Sequence, residues 1–381
     1  MIKLKSDKII IGKDLFNGYV YIENDKIVEV SSENKDADEF YDYTGKYLSP
    51  GFIEIHTHGA GGYAFINTNP ENVIKACEYH LDHGTTSILP TVTSGPFKNM
   101  RKAVEDIDTV KKSGKCKSNI IGAHMEGPYF SLKQAGAQCP DFITPPVKED
   151  YESLIKDYPN AVKRFSFAPE NDTNDEFTKF LVKNDIIAAI GHSDGKYQEL
   201  KGAVDNGCNL VTHLYSGCST ITRDHGFRSL GVVETAFLRD ELYAEIIADG
   251  KHLPPDLIKM IIKIKGMDKV ILVTDSLEIA GTDIVEGVMS GTEFIVEDGV
   301  CKLKDRTAFA GSVATSDRLI RVMTKECGYS IPESVYMATK VPAELLKVNK
   351  GKIQSGYDAD VIVFDEEINV SDIFVMGKKV K

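Results

Sequence analysis

A chain of 381 residues, 42% hydrophobic and 27% charged, has room for one large domain and one small one and the make-up of a soluble globular protein. Its formal net charge of −12 argues against nucleic acid or an anionic membrane as partners, and no run of eighteen apolar residues is present to span a bilayer. An anionic substrate would need local cations to hold it against that field.

The N-terminal MIKLKSDKIIIGKDLFNGYV lacks the apolar core and cleavage site of a signal peptide. The first fifty residues read as short strands, KIIIG, GYVYIEN and KIVEVSS, with Asn24-Asp25 as a turn. The stretch IQSGYDADVIVFDEE and INVSDIFVMGKKV near the other end reads the same way. Neither segment closes a core alone, so residues 1–49 and 352–381 are expected to pair into one small β-sandwich domain.

Residues 50–351 read differently. Eight apolar runs follow one another: YLSPGFIEIH, TTSILPTV, NIIGAHME, VKRFSFAPE, DIIAAIGHS, NLVTHLY, YAEIIADG and KVILVTDS. Helical periodicity follows most of them, near 71–83, 96–113, 173–183, 196–205, 229–238 and 254–264. Buried parallel strands alternating with helices predict an α/β fold of the TIM-barrel, (β/α)8 type. A doubly wound open sheet is the rival, but no GxGxxG follows the first run. Seven scattered cysteines, with no CxxC, fit a reducing, cytoplasmic setting.

A barrel collects its catalytic side chains at the C-terminal ends of its strands. Those ends carry His56 and His58, then His124 and Glu126, His192, His213, Asp249 to His252, and Asp275. Besides His124, five of the nine histidines, His56, His58, His192, His213 and His252, fall there. His56 and His58, two apart on a strand, face the same side. With Glu126, His192, His213 and Asp275 they make six candidate ligands for a divalent metal. Two ions bridged by Glu126, or one ion with spare ligands, both fit, and zinc, iron, cobalt or manganese all suit the donors. An isolated HxH is more often packing or surface, and a lone Asp after a strand is usually a helix cap. The joint placement carries the metal reading. His124 reads as a buried hydrogen-bonding group one layer deeper. His80 and His83 read as supporting or surface groups, and His225 as part of a polar loop. The acidic pairs Asp106/Asp108 and Glu366/Glu367 read as solvated surface.

The segments PGFIEIHTHGAGG (50–62), HMEGPYFSLKQAGAQ (124–138), IGHSDGKYQE (190–199), THLYSG (212–217), IADGKHLPP (247–255), LVTDSLEIAG (272–281), FAGSVATSDR (309–318) and SGYDADVIVFD (355–365) resemble the N-acetylglucosamine-6-phosphate deacetylases of the amidohydrolase superfamily. The resemblance implies a common metal site at Glu126, His192 and His213. A second ion falls to His56 and His58, which only some members possess. Asp275 matches the catalytic aspartate and His252 a residue beside the acetamido carbonyl. Ala137, Gln138, Ser216, Gly217, Phe309, Ala310, Gly311 and Ser312 match substrate contacts. Arg228 matches an arginine that reaches the sugar phosphate from a neighbouring subunit, which implies a homodimer. Two departures stand out: Ser216-Gly217-Cys218 replaces the usual Asn-Ala-Met, and a longer loop before Arg228 adds Arg223 and His225.

The activity implied is hydrolysis of the acetamide of a phosphorylated N-acetyl amino sugar, with Asp275 as general base and then acid. Galactosamine or mannosamine relatives remain open as substrates. A cyclic-amide hydrolase on the same barrel often bridges its metals with a carbamylated lysine after the fourth strand, and here that position reads Phe167-Ala168-Pro169-Glu170. A silent scaffold would be expected to lose ligands, whereas all six are present.

Overall fold

In the computed structural model, which describes residues 1–289 and 291–381, the eight runs become eight strands in one parallel cycle. They are β1 (Phe52–Thr57), β2 (Thr85–Thr93), β3 (Ala123–Glu126), β4 (Val162–Phe167), β5 (Ile187–Ile190), β6 (Leu210–Val211), β7 (Tyr243–Ile247) and β8 (Val270–Val273). Each pairs in parallel with the next. The ring closes just past β8, where Asp275 N–H donates to His56 O at 2.9 Å and His58 N–H to Ser276 O at 2.7 Å. The seam therefore runs through three candidate ligands.

The helices follow their strands: α1 (Pro70–Asp82), α2 (Phe97–Ser113), α3 (Lys148–Asp157), α4 (Glu176–Lys183), α5 (Tyr197–Asp205), α6 (Val232–Leu238), α7 (Pro255–Lys265) and α8 (Ser316–Lys325). In α1 the Asn69 side chain caps the backbone N–H of Asn72, Pro70 opens the first turn, and Val73, Ala76, Cys77, His80 and Leu81 form the buried stripe. α9 (Ile331–Ala338) and α10 (Lys340–Leu346) pack on β1 and β8, where Tyr336, Val341 and Leu345 join Ile53, Ile271 and Val273. Helices α3 and α8 to α10 were not anticipated. Asp106 and Asp108 are not solvated surface: both are buried on α2, and each is paired with a lysine four residues away, Lys102 and Lys112.

Both ends of the chain enter one eight-stranded sheet. Tyr47–Pro50 belongs to it, pairing antiparallel with Val361–Phe364, so the first apolar run divides between two sheets at Gly51. A β-carbon at Gly51 would lie 2.1 Å from Thr86 Oγ1, so only glycine allows this close crossing. A shift in register between Ser6 and Ile9 interrupts the pairing of Ile2–Ile11 with Asp14–Glu23. Leu4, Val20 and Ile27 share one core with Val361, Val363 and Phe374.

Two further β elements leave the barrel on the side of the strand C-termini. The loop before Arg228 is a hairpin, Thr222–Asp224 against Phe227–Ser229. After β8 comes an antiparallel meander of Glu286–Met289, Thr292–Glu297 and Val300–Leu303. Its Phe294 and Cys301 pack with Leu277, Ile279 and Ala310.

Candidate metal centre

The six candidate ligands converge. His56 Nε2 lies 3.2 Å from Glu126 Oε1 and 3.3 Å from Asp275 Oδ1. His58 Nε2 lies 3.2 Å from Glu126 Oε2 and 3.1 Å from Asp275 Oδ1. Opposite them, His192 Nε2 and His213 Nε2 approach Glu126 Oε1 at 3.4 and 3.1 Å. Two potential ligand groups result, His56/His58/Glu126 and Glu126/His192/His213, with Glu126 common to both.

The backbone departs from strand geometry where these side chains emerge. His192, His213 and Asp275 have φ of 45°, 28° and 47°. Left-handed conformations are costly for such residues and persist where the surroundings enforce them, often at functional sites. Around His192, hydrogen bonds supply that enforcement. His192 Nδ1 meets Gln134 O at 2.8 Å, and Glu170 accepts Ser193 Oγ–H and Asp194 N–H at 2.6 Å each. Gln138 donates to Glu126 Oε2 at 2.9 Å, while Thr93 Oγ–H and Ser94 N–H donate to Gln138 Oε1.

Burial opposes charge on His56, His58, Glu126 and Asp275, and mutual attraction overcomes it. Glu245, Asp275 and Glu126 hold His56 well above the usual imidazole range. Glu126 and Asp275 raise His58 to about 9. In return, the two imidazoles hold Asp275 at about 2 and Glu126 well below the carboxylate range. The carboxylates thus draw positive charge into a dry site. His56 Nε2 is also buried without a hydrogen-bond partner. Imidazole nitrogen and carboxylate oxygen donors at this spacing fit a divalent cation.

Above the ligands opens a cavity of about 430 Å³, a size suited to a small ligand. His58, Glu126, His192, His213 and Asp275 form its floor, with His56 fully buried beneath. Ala137, Gln138, Ser216, Gly217, His252, Phe309, Ala310 and Gly311 line it, as the motifs imply. Ser312 lies behind the wall: its N–H donates to Asp275 O at 2.8 Å and its hydroxyl to Thr274 O at 2.5 Å. Arg228 sits on the exposed hairpin, away from the cavity of its own chain, beside Phe227, which is 81% exposed. No lysine or arginine lines the cavity among the described residues.

His124 is buried between Thr91 Oγ and Ser166 Oγ, at 3.0 and 2.7 Å, as expected of a hydrogen-bonding group. His80 contacts Thr57 Oγ at 2.9 Å, His83 contacts Asp317, and His225 is exposed. Several contributors escaped sequence reasoning. Glu54 accepts the N–H groups of His56 and Thr274, at 2.9 and 3.0 Å. Glu245 meets His56 Nδ1 at 2.6 Å. Glu278 lines the cavity, where burial raises its pKa. For Glu54 the available signal was charge inside an apolar run at even spacing from a ligand: Glu54, His56 and His58 alternate along one face.

Known proteins share this framework. A sequence profile described as the Amidohydrolase family matches residues 47–381. The chain belongs to the amidohydrolase family. Among the relatives of this amidohydrolase is the N-acetylglucosamine-6-phosphate deacetylase of Haemophilus influenzae, 30% identical over 376 residues, covering 96% of this chain and 95% of the relative. The N-acetylgalactosamine-6-phosphate deacetylase of Shewanella sp. (strain ANA-3) is 29% identical, over 89% and 84% of the two chains. The crystal structure of N-acetylglucosamine-6-phosphate deacetylase from Pasteurella multocida, 28% identical, superposes with a TM-score of 0.92 over 99% of both chains. Among the described residues of this amidohydrolase, no helix is long and apolar enough to cross a membrane.

Proposed function

We propose that this amidohydrolase removes the acetyl group of N-acetylglucosamine 6-phosphate, giving acetate and glucosamine 6-phosphate. The observation that carries the reading is the floor of the cavity, where Glu126 is shared by two histidine pairs and Asp275 Oδ1 stands 3.1 Å from His58 Nε2. Near-full-length similarity to deacetylases of this sugar phosphate supports the substrate. The galactosamine epimer is the second reading, favoured by the Shewanella relative.

His56, His58, Glu126, His192, His213 and Asp275 are assigned to one or two divalent ions, zinc, iron, cobalt or manganese. Such an ion, when bound, activates water near neutral pH and polarises the amide carbonyl. Asp275 takes a proton from the attacking water on its carboxylate and returns it to the sugar nitrogen as the C–N bond breaks. His252 supports the oxygen on which charge develops. Ala137, Gln138, Ser216, Gly217 and the Phe309 to Ser312 segment shape the sugar site. Among the described residues the cavity wall holds no lysine or arginine, so a phosphate needs a cation from elsewhere. Arg228 of a second copy supplies it in a homodimer. The seven cysteines, all unbridged, suit a cytoplasmic enzyme.

The test is acetate release by metal-reconstituted protein across N-acetylglucosamine, N-acetylgalactosamine and N-acetylmannosamine, each with and without the 6-phosphate. Turnover highest with N-acetylglucosamine 6-phosphate is expected. A clear preference for another member would overturn the assignment.

A further inference from the structure

Beneath the ligands lies an ion pair that the reaction above leaves unused. Arg164 on β4 and Glu245 on β7 are fully buried and paired with each other. Glu245 Oε1 meets His56 Nδ1 at 2.6 Å and accepts the His213 N–H at 3.1 Å. The Arg164 guanidinium donates to the carbonyl of Ile55 and to Thr212 Oγ, each at 3.0 Å. Ile55 directly precedes His56, and Thr212 directly precedes His213. One ion pair therefore grips the ends of β1 and β6 at the histidine and at the residue before it. Each of those histidines belongs to a different one of the two ligand groups.

Stability alone does not explain such a pair, because apolar residues of the same volume commonly serve a core as well or better. An apolar pair could not accept a hydrogen bond from His56 Nδ1. With Nδ1–H directed at Glu245, a neutral ring that binds a cation carries its lone pair on Nε2, which faces Glu126 Oε1 at 3.2 Å.

We propose that the Arg164–Glu245 pair is a positioning device that fixes the ring and tautomer of His56 and thereby sets the affinity of the His56/His58/Glu126 group for a divalent ion. Its hold on His213 is through the backbone only, so the Glu126/His192/His213 group depends on it less. The inference rests on the reading that both groups hold ions.

The experiment is titration of the metal-stripped, full-length protein with zinc against a competing chelator. It compares wild type, His56→Asn, the double variant Arg164→Met/Glu245→Leu, and the double variant combined with His56→Asn. The double variant removes both buried charges together, which protects the fold, and its thermal melt confirms this. The zinc that His56→Asn abolishes should bind about 10–100-fold more weakly in the double variant. The remaining zinc should keep its affinity within about 3-fold, and the pair should have no effect in the His56→Asn background. A folded double variant holding both zinc ions at wild-type affinity would overturn this proposal and leave the metal reading intact. If His56→Asn costs the wild type no zinc, the His56/His58/Glu126 group holds no ion and the proposal falls, while an ion at Glu126/His192/His213 stands.

Discussion

Asp249 Oδ2 lies 2.9 Å from His252 Nδ1, and the other oxygen of the same carboxylate accepts the N–H groups of Lys251 and His252 at 2.9 Å each. Burial pushes the Asp249 carboxyl up, yet His252 and these backbone donors hold it below its ordinary value. Phe309 closes the other side, with ring centroids 4.9 Å apart. The ring of His252 is thus fixed at the cavity wall before substrate arrives. His252→Ala should lower kcat for acetate release by about 100-fold, the size of a lost oxyanion contact. Asp249→Asn should lower it by a smaller factor and cost nothing further when His252 is already alanine. Independent, multiplying losses would show that Asp249 does not act through His252.

Asp275 has a sharper signature. Its carboxylate is held at about 2, against the opposing effect of burial, by His56 and His58, so it stands ionised near neutral pH. Asp275→Asn keeps the shape and removes the base. Turnover should fall by about 1,000-fold, within the range of general acid–base catalysis, with the melting temperature little changed. Turnover within about 3-fold of wild type would remove the assignment.

The sharing of Glu126 between two histidine groups predicts unequal metal losses. Glu126→Ala should empty both groups, and His58→Ala only the one with His56. Elemental analysis of purified, zinc-reconstituted protein reads the difference. Equal zinc content in the two variants would contradict the shared-ligand arrangement.

Arg228 stands directly across the hairpin from Arg223, two like charges that oppose each other when no anion lies between them. A phosphate reaching this hairpin would receive charge-assisted hydrogen bonds. Arg228→Ala should raise KM for the phosphorylated sugar by about 10–100-fold, following the strength of such bonds, and barely alter KM for the unphosphorylated one. The same shift for both sugars would place Arg228 outside phosphate recognition.

The barrel and the metal floor were legible because both obey short-range rules. Eight buried strands leave eight apolar runs, and a strand end that carries a ligand shows it as a polar residue where the run stops. The site's supports were harder to read, since their partners are distant in sequence. Arg164 meets Glu245 only when the barrel closes; in the chain Arg164 reads as half of a Lys163-Arg164 pair and Glu245 as one charge in an apolar stretch. Asp106 and Asp108 looked solvated because composition around them is polar, yet α2 turns both inward. The meander of residues 286–303 has weak alternation, and its cover over the cavity depends on packing against Leu277, Ile279 and Ala310. Helix α3 follows a long loop instead of directly succeeding β3, so strand–helix alternation gave no cue for it.

Asp317 ties the start of α8 to the rest of the barrel and makes acid stability predictable. Its buried carboxylate receives Thr315 Oγ–H at 2.5 Å, Arg318 N–H at 2.9 Å and the Arg321 guanidinium at 2.6 Å, and it pairs with His83 on the other side at 3.2 Å. Burial pushes its pKa up, but His83, Thr315 and Arg321 prevail and hold it at about 2, against 3.8 for the free group. A carboxyl whose pKa is lower in the folded chain stabilises the fold fully above the unfolded value, and that contribution disappears as pH falls through the folded value. The difference between 3.8 and about 2 corresponds to about 2 kcal/mol. Asp317→Asn should therefore destabilise the protein by about that amount at pH 7, measured by urea unfolding. The gap between wild type and variant should narrow from about pH 4 downwards and nearly close by about pH 2, because the wild-type carboxyl is then protonated as well. A gap that stays constant from pH 7 to pH 3 would mean that the carboxylate charge contributes nothing and that the loss comes from packing alone.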